Sequence, residues 1–140
     1  MSARLTIALV AAGLLALPTA ASAATKHGIT PLAPKAGSTV PAGKSPTFKM
    51  RVKGKGPVYV HVCKSKKKAK DGRICHKAEI GQAHKKGHIF RFKPRFFDFP
   101  AFWLNSPGTY YWQAHRIDCA GDTSDCRQEG PIVRFKVAGG

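Results

Sequence analysis

The chain has 140 residues, with 24 lysines and arginines against seven aspartates and glutamates, and a formal net charge of +17 at pH 7. This length excludes a protein of several domains and is sufficient for one domain with a modest hydrophobic core. No apolar run reaches the roughly 20 residues that a membrane-spanning helix needs, so we expect a soluble domain.

The N-terminal segment has the features of a secretory signal peptide. Arg4 supplies a short positive region, and Leu5 to Leu17 form an apolar run of 13 residues. Ala21 to Ala23 then matches the small-residue pattern of a cleavage site. We therefore predict a signal peptide at residues 1–24, a single domain at residues 25–140, and a secreted, extracellular or cell-envelope-associated protein.

The chain after the signal peptide is a series of short segments with strand-like alternation, separated by turns rich in glycine and proline. The predicted strands are an edge strand near Ile29 to Leu32, then Thr47 to Lys53, Val58 to Cys63, a short edge strand within Lys77 to Gln82, His88 to Lys93, a central strand after Pro107, and Val133 to Val137. No convincing helix and no internal repeat interrupts the series. Together these segments predict an all-β sandwich of about seven strands.

Alternation also assigns the side chains of these strands to an inner and an outer face. The inward residues of the second and fifth predicted strands are Phe48, Met50, Val52, Phe90 and Phe92, and the outward ones include Lys49, Arg51, Lys53, Arg91 and Lys93. In the central strand, Tyr110, Trp112 and Ala114 are predicted to point into the core. Tyr111, Gln113 and His115 are predicted to point outward.

Three stretches of the chain carry a resemblance to a known family of modules. They are Leu104-x-x-Pro107-Gly108-Thr109-Tyr110-Tyr111-Trp112-x-Ala114, Ala33-Pro34-x-x-Gly37-x-x-Val40-Pro41 and Gly130-Pro131-Ile132-Val133-x-Phe135-x-Val137. Together they resemble the fibronectin type III and immunoglobulin-like β-sandwich modules of secreted bacterial proteins. That resemblance implies a tyrosine corner, in which a tyrosine hydroxyl bonds back to the backbone upstream.

The corner residue is either Tyr110 or Tyr111. Leu104 stands three residues before Pro107, whereas the family usually places this leucine two residues before the proline. We prefer Tyr110 because that choice keeps Trp112 in the core.

Four cysteines in an exported chain predict two disulfide bonds. Proximity in sequence favours Cys63–Cys75, closing the lysine-rich loop, and Cys119–Cys126, closing the loop before the last strand. The alternative is a metal site, because residues 61–88 contain two thiols and four imidazoles, and zinc prefers such ligands. The first two cysteines lack the spacing of common zinc motifs, so we predict disulfides and neither a metal nor a cofactor.

The chain carries no recognisable catalytic motif. It lacks the nucleophile elbow and the zinc-protease and phosphate-loop patterns, so we predict that the protein is not an enzyme. The segment Phe96 to Trp103 concentrates aromatic residues around Pro100. This segment is either a cap on the hydrophobic core or a platform on which sugars or bases stack.

The distribution of charge is the sequence feature that bears most on function. Residues 44–95 contain 17 basic and two acidic residues, a net charge of +15, whereas residues 96–140 have a net charge of −1. If residues 47–53 and 88–93 form neighbouring strands, their outward cations share one face, with the lysines of the loop 64–70 at its margin. The predicted polyanion-binding residues are Lys49, Arg51, Lys53, Lys66, Lys67, Lys68, Arg91 and Lys93.

These features favour a secreted, non-enzymatic module that binds an anionic polysaccharide, a cell-wall polymer or a membrane surface by charge, without specific recognition of nucleic acid. The excess of +15 costs self-repulsion that solubility alone does not require. Lysine outnumbers arginine in this region, which suits diffuse attraction to a polymer. The alternatives are a structural or accessory domain with no ligand, basic only for solubility, and a secreted enzyme or metal-binding protein.

Overall fold

A computed structural model gives the fold, and it describes residues 28–67, 74, 79–94, 104, 106–118 and 126–139. The strands within these residues are β1 (Ile29–Ala33), β2 (Thr39–Val40), β3 (Phe48–Val52), β4 (Val58–Cys63), β5 (Glu79–Lys86), β6 (Ile89–Phe92), β7 (Gly108–Ile117), β8 (Arg127–Glu129) and β9 (Val133–Val137). No helix in the described ranges has the length and apolar character to cross a membrane. The signal peptide and the aromatic segment Phe96 to Trp103 lie outside these ranges, so both stay predictions.

The strands form two sheets that share β5. The first sheet has the order β1-β3-β6-β5, and the second has the order β5-β4-β7-β9-β2. β8 lies beside the far end of β7, where His115 to Ile117 pair with Glu129 to Arg127. β7 therefore has neighbours on both sides, as predicted for the central strand, whereas β8 follows the predicted loop Cys119 to Cys126 in a segment for which the sequence predicted no strand.

The position of β5 differs from the prediction of a short edge strand within Lys77 to Gln82. The strand continues to Lys86; its residues up to Ala83 pair with β4, and those from His84 onward pair with β6. Gly81 lies near the point where β5 changes from pairing with β4 to pairing with β6. Its φ is +152°, and a Cβ atom there would stand 2.8 Å from a ring carbon of Phe92. The prediction was wrong because this segment lacks the alternation that marks a strand with one buried face.

The hydrophobic core lies between the two sheets. Phe48 of the first sheet has its ring centroid 5.4 Å from that of Trp112 and 6.1 Å from that of Phe135, both in the second sheet. All three side chains are completely buried, as is Tyr110. The indole Nε1 of Trp112 also donates to the Pro34 carbonyl oxygen at 3.0 Å. The two sheets and their shared core confirm the predicted β-sandwich and the inward orientation of Tyr110 and Trp112.

Tyr110 forms the tyrosine corner. Its hydroxyl donates to the carbonyl oxygen of Ser106, four residues upstream, at 2.9 Å. Its ring stacks on Phe135 with a centroid distance of 5.8 Å, and burial raises the pKa of the hydroxyl above its ordinary value of 10.0. This geometry decides between the two candidates in favour of Tyr110.

We expect Tyr110→Phe to lower the free energy of unfolding by about 1 kcal/mol at pH 7, because one hydrogen bond is lost while the ring stays in place. The difference between wild type and variant should shrink as the pH rises above about 10, because the unfolded wild-type chain releases the Tyr110 proton at a lower pH than the folded one does. Urea denaturation at pH 7 and at several alkaline pH values measures both effects. A difference that stays constant up to pH values well above 10 would contradict the raised pKa.

Candidate polyanion-binding surface

The outer surface of the first sheet carries a set of cations that strand alternation separates from the core. In β3, Phe48 and Met50 are completely buried, whereas Arg51 is exposed and Lys49 is half-buried. Lys53 follows the strand and is exposed. Because successive residues of a strand point to opposite faces, the apolar and basic residues of this segment are held on opposite sides of one sheet.

β6 lies directly beside β3 and extends this surface. Phe48 pairs with Phe92 and Met50 with Phe90 on the core side, while Lys49 pairs with Arg91 on the outer side. The predicted neighbourhood of these two segments is thus confirmed. Arg91 and the following Lys93 are both exposed. We call Lys49, Arg51, Lys53, Arg91 and Lys93 the basic face.

The strand register adds two residues to this surface that the sequence did not predict. His84 of β5 pairs with Arg91, so that Lys49, Arg91 and His84 lie in one row across three strands. Thr30 of β1 pairs with Arg51 on the opposite side of β3. Neither neighbour could be found from the sequence, because the alternation within a strand does not reveal which residues of other strands stand opposite.

No carboxylate with a described side chain lies on the basic face. Asp118 and Glu129 are the acidic residues whose side chains the structure describes, and both belong to the second-sheet side of the molecule. Asp118 pairs with Arg116 at 2.6 Å, and Glu129 approaches Arg127 to 3.8 Å. Within the described ranges, the cations of the basic face therefore stand without a neutralising ion pair.

Arg116 ties the end of β3 to the second sheet. Its guanidinium donates through Nη1 to the Lys53 carbonyl oxygen and through Nη2 to Gln128 Oε1 at 2.6 Å. A Cβ atom on Gly54, whose φ is +96°, would collide with this guanidinium. Glycine at this position therefore allows a nearly buried arginine to anchor the backbone of Lys53, one of the outermost residues of the basic face.

Lys66 and Lys67 do not lie at the margin of the basic face, so that part of the prediction was wrong. Both are exposed and line a groove with Tyr111 of β7 and Arg134 of β9. The reason is topological: their loop leaves β4, which lies in the second sheet between β5 and β7. Lys68 lies outside the described residues.

The outer face of β7 is also different from the prediction, because Gln113 and His115 are buried rather than exposed. Gln113 Oε1 accepts a hydrogen bond from the Ile74 amide at 3.2 Å, and its Nε2 donates to the Gly130 carbonyl oxygen at 3.0 Å. Ile74 and Gly130, which lies in the turn after β8, thus cover this face. A second buried layer, polar in composition, results on the side of the second sheet away from the core.

Two histidines form the centre of this polar layer. A hydrogen bond joins His61 Nε2 and His115 Nδ1 at 2.8 Å, and Tyr59 stacks on His115 with a ring-centroid distance of 5.3 Å. Both imidazoles are only 1% exposed, although alternation predicted that His115 points outward. Their rings also stack on each other with a centroid distance of 4.6 Å, so both contribute to the packing of the second sheet.

The structure describes two of the four cysteines. Cys63 and Cys126 are both disulfide-bonded, while Cys75 and Cys119 lie outside the described residues, so the two pairings stay predictions. In the described part of the chain, no group of three or more histidine, cysteine or acidic residues is arranged to hold a metal ion.

No protein-family model matches the chain, and no curated protein does either. One similar solved structure shows fibronectin(III)-like modules of Clostridium thermocellum CbhA, with 20% sequence identity and a TM-score of 0.47. The similarity covers 79% of this chain and 45% of that one, so the chain spans less than half of the structure it matches. The strand pairing by itself establishes the all-β fold.

Proposed function

We propose that this protein is an exported, non-enzymatic β-sandwich module that holds an anionic polymer by charge on the basic face. The ligand classes that fit are an anionic polysaccharide, a cell-wall polymer or an anionic membrane surface. Lysine supplies three of the five cations of the face, which suits diffuse attraction to many anionic groups more than bidentate recognition of one.

The observation that carries this proposal is the direct pairing of Lys49 with Arg91 across β3 and β6. Like charges placed opposite each other in a sheet destabilise it, and opposite charges would stabilise it by about 0.2–1 kcal/mol. Folding alone therefore favours an acidic residue at one of these two positions. A polyanion laid across both strands would neutralise the pair and offset this cost.

A salt series on an immobilised acidic polymer tests the proposal. We expect the wild-type protein to bind heparin at about 0.15 M salt and to dissociate steeply as salt rises, because binding to a polyanion releases its condensed counterions. Absence of binding under these conditions would remove the proposal and leave a structural or accessory domain that is basic for solubility.

We expect reversal of charge at Lys49, Arg51 and Lys53, each to glutamate, to weaken heparin binding by at least about tenfold at 0.15 M salt and to flatten the salt dependence. Folding should be retained, since exposed substitutions usually change stability by less than about 0.5 kcal/mol each. Glutamate at position 49 would even face Arg91 as an opposite charge. Retention and thermal unfolding, measured side by side, separate loss of binding from loss of fold.

The matched control reverses three exposed lysines in turns, Lys35, Lys44 and Lys55, which changes the net charge by the same amount. Arg134 is unsuitable as a control, because it lines the groove on the second sheet. Equal loss of binding in both triple variants would mean that only net charge matters and that the basic face is not a site.

A further inference from the structure

A groove of about 620 Å³ lies on the outer side of the second sheet, opposite the basic face. Its lining residues are Ser65, Lys66, Lys67, Tyr111, Ile132 and Arg134. They come from three parts of the chain: the loop after β4, the middle of β7 and the start of β9. Strand register places Tyr111 directly beside Arg134 and beside Cys63 at the end of β4, so the two strands and the loop converge there.

The groove combines an apolar floor with a cationic rim. Tyr111 and Ile132 are half-buried, whereas Lys66, Lys67 and Arg134 are exposed. No acidic residue is among the lining residues that the structure describes. Ligand sites of this size are typically apolar surfaces with a few polar groups that fix orientation, and every charged group among these described residues is a cation.

The loop that supplies the two lysines has a defined turn at its start. The Lys67 amide donates to the Ser65 hydroxyl oxygen at 3.1 Å. The preceding Cys63 is nearly buried and disulfide-bonded, which anchors the loop at the end of β4. Because binding is weakened by the cost of ordering a mobile loop, a loop held in this way favours a specific site.

We propose that this groove binds a carboxylate-bearing sugar unit of an acidic polysaccharide. The Tyr111 ring would stack on the apolar face of the pyranose, and Arg134 would pair with its carboxylate, because the guanidinium matches the planar carboxylate group. Lys66 and Lys67 would contact the neighbouring acidic units. Among the described residues that line the groove, Tyr111 is the one aromatic ring, whereas single-stranded nucleic acid is held by successive aromatic rings under successive bases, so the geometry favours the sugar.

The site is independent of the basic face, because the hydrophobic core separates the two surfaces. Isothermal titration with tetragalacturonate at about 0.15 M salt tests it, with a neutral tetrasaccharide and a short thymidine oligonucleotide as comparison ligands. We expect the wild-type protein to bind tetragalacturonate most tightly of the three. Tyr111→Ala and Arg134→Gln should each weaken this binding by at least about fivefold, the lower end of what loss of one stacking contact costs.

Two control variants keep the test independent of net charge and of folding. Lys44→Gln removes the same charge from an exposed turn outside both surfaces, and Tyr111→Phe keeps the ring; both should bind within about twofold of wild type. If Tyr111→Ala fails to fold, Arg134→Gln and Tyr111→Phe still decide the matter. Equal loss in Lys44→Gln, equal binding of the neutral tetrasaccharide, tighter binding of the oligonucleotide, or no binding at all would each overturn the proposal. If reversing the charge of Lys49, Arg51 and Lys53 fails to weaken heparin binding, the proposed function of the basic face is refuted. The proposal for the groove does not depend on that result.

Discussion

Replacing Trp112 with alanine is expected to lower the free energy of unfolding by about 3–5 kcal/mol, as for other fully buried aromatic residues. The indole is completely buried and lies edge-on to Phe48 at 5.4 Å. Its removal leaves a cavity where the two sheets meet and also leaves the Pro34 carbonyl oxygen without the donor that now stands 3.0 Å away. Domains of this size have about 5–15 kcal/mol of stability in total, so the variant should unfold at a much lower urea concentration.

The appropriate comparison for this variant is Thr109→Ala on the same strand, since Thr109 is only half-buried and leaves the core intact. We expect that substitution to change stability by less than about 1 kcal/mol. Trp112→Phe should fall between the two, because it keeps a ring in the core but loses the hydrogen bond to Pro34. A Trp112→Ala protein that unfolds at the wild-type urea concentration would mean that the core does not depend on this side chain.

Alternation predicted the faces of β3 correctly because that strand has one buried and one solvent-facing side. Its sequence places Phe48 and Met50 inward and Arg51 outward, and burial follows the same order. Alternation with a period of two residues predicts which side chains are buried only when one face of the strand is apolar and buried and the other is polar and exposed.

The same reasoning failed for β7, because both of its faces are buried. Gln113 and His115 are polar, so alternation assigned them to solvent, but both are buried, and Ile74 and Gly130 cover Gln113. The two residues that cover Gln113, Gly130 and Ile74, lie 17 and 39 residues away from it along the chain. Local sequence patterns do not contain such tertiary contacts, and buried polar groups are stable once they are hydrogen-bonded.

The candidate site also contains residues that local sequence patterns predict and residues whose positions depend on the order of strands in the sheet. Lys49 and Arg91 could be predicted together, because both strands carry strong alternation and their pairing follows from the sandwich. Lys66 and Lys67 were grouped with them only because they are close in sequence. The structure instead places these two lysines beside Tyr111 and Arg134, since the order of strands in a sheet, and not their order in the chain, determines which loops share a face.

Gln113→Leu tests whether the polar layer on the second sheet stabilises the fold, and we expect it to lower the free energy of unfolding by about 2–5 kcal/mol. Leucine is similar in size, but it can neither accept from the Ile74 amide nor donate to the Gly130 carbonyl oxygen. Both backbone groups are at buried residues, and each buried group left without a partner costs about 1–3 kcal/mol. Amide hydrogen exchange at Ile74 should accelerate at the same time, because that amide loses its acceptor.

The matched control is Gln82→Leu, the same chemical change at an exposed position of β5, which should change stability by less than about 0.5 kcal/mol. If both variants unfold at the wild-type urea concentration, then Gln113 does not hold the covering segments on the sheet. If Gln113→Leu loses stability but the exchange of the Ile74 amide is unchanged, then the loss arises at Gly130, and Ile74 is held by other contacts. Loss of stability together with faster exchange at Ile74 means that Gln113 joins both Ile74 and Gly130 to β7, on the face where His115 is buried although alternation assigns it to solvent.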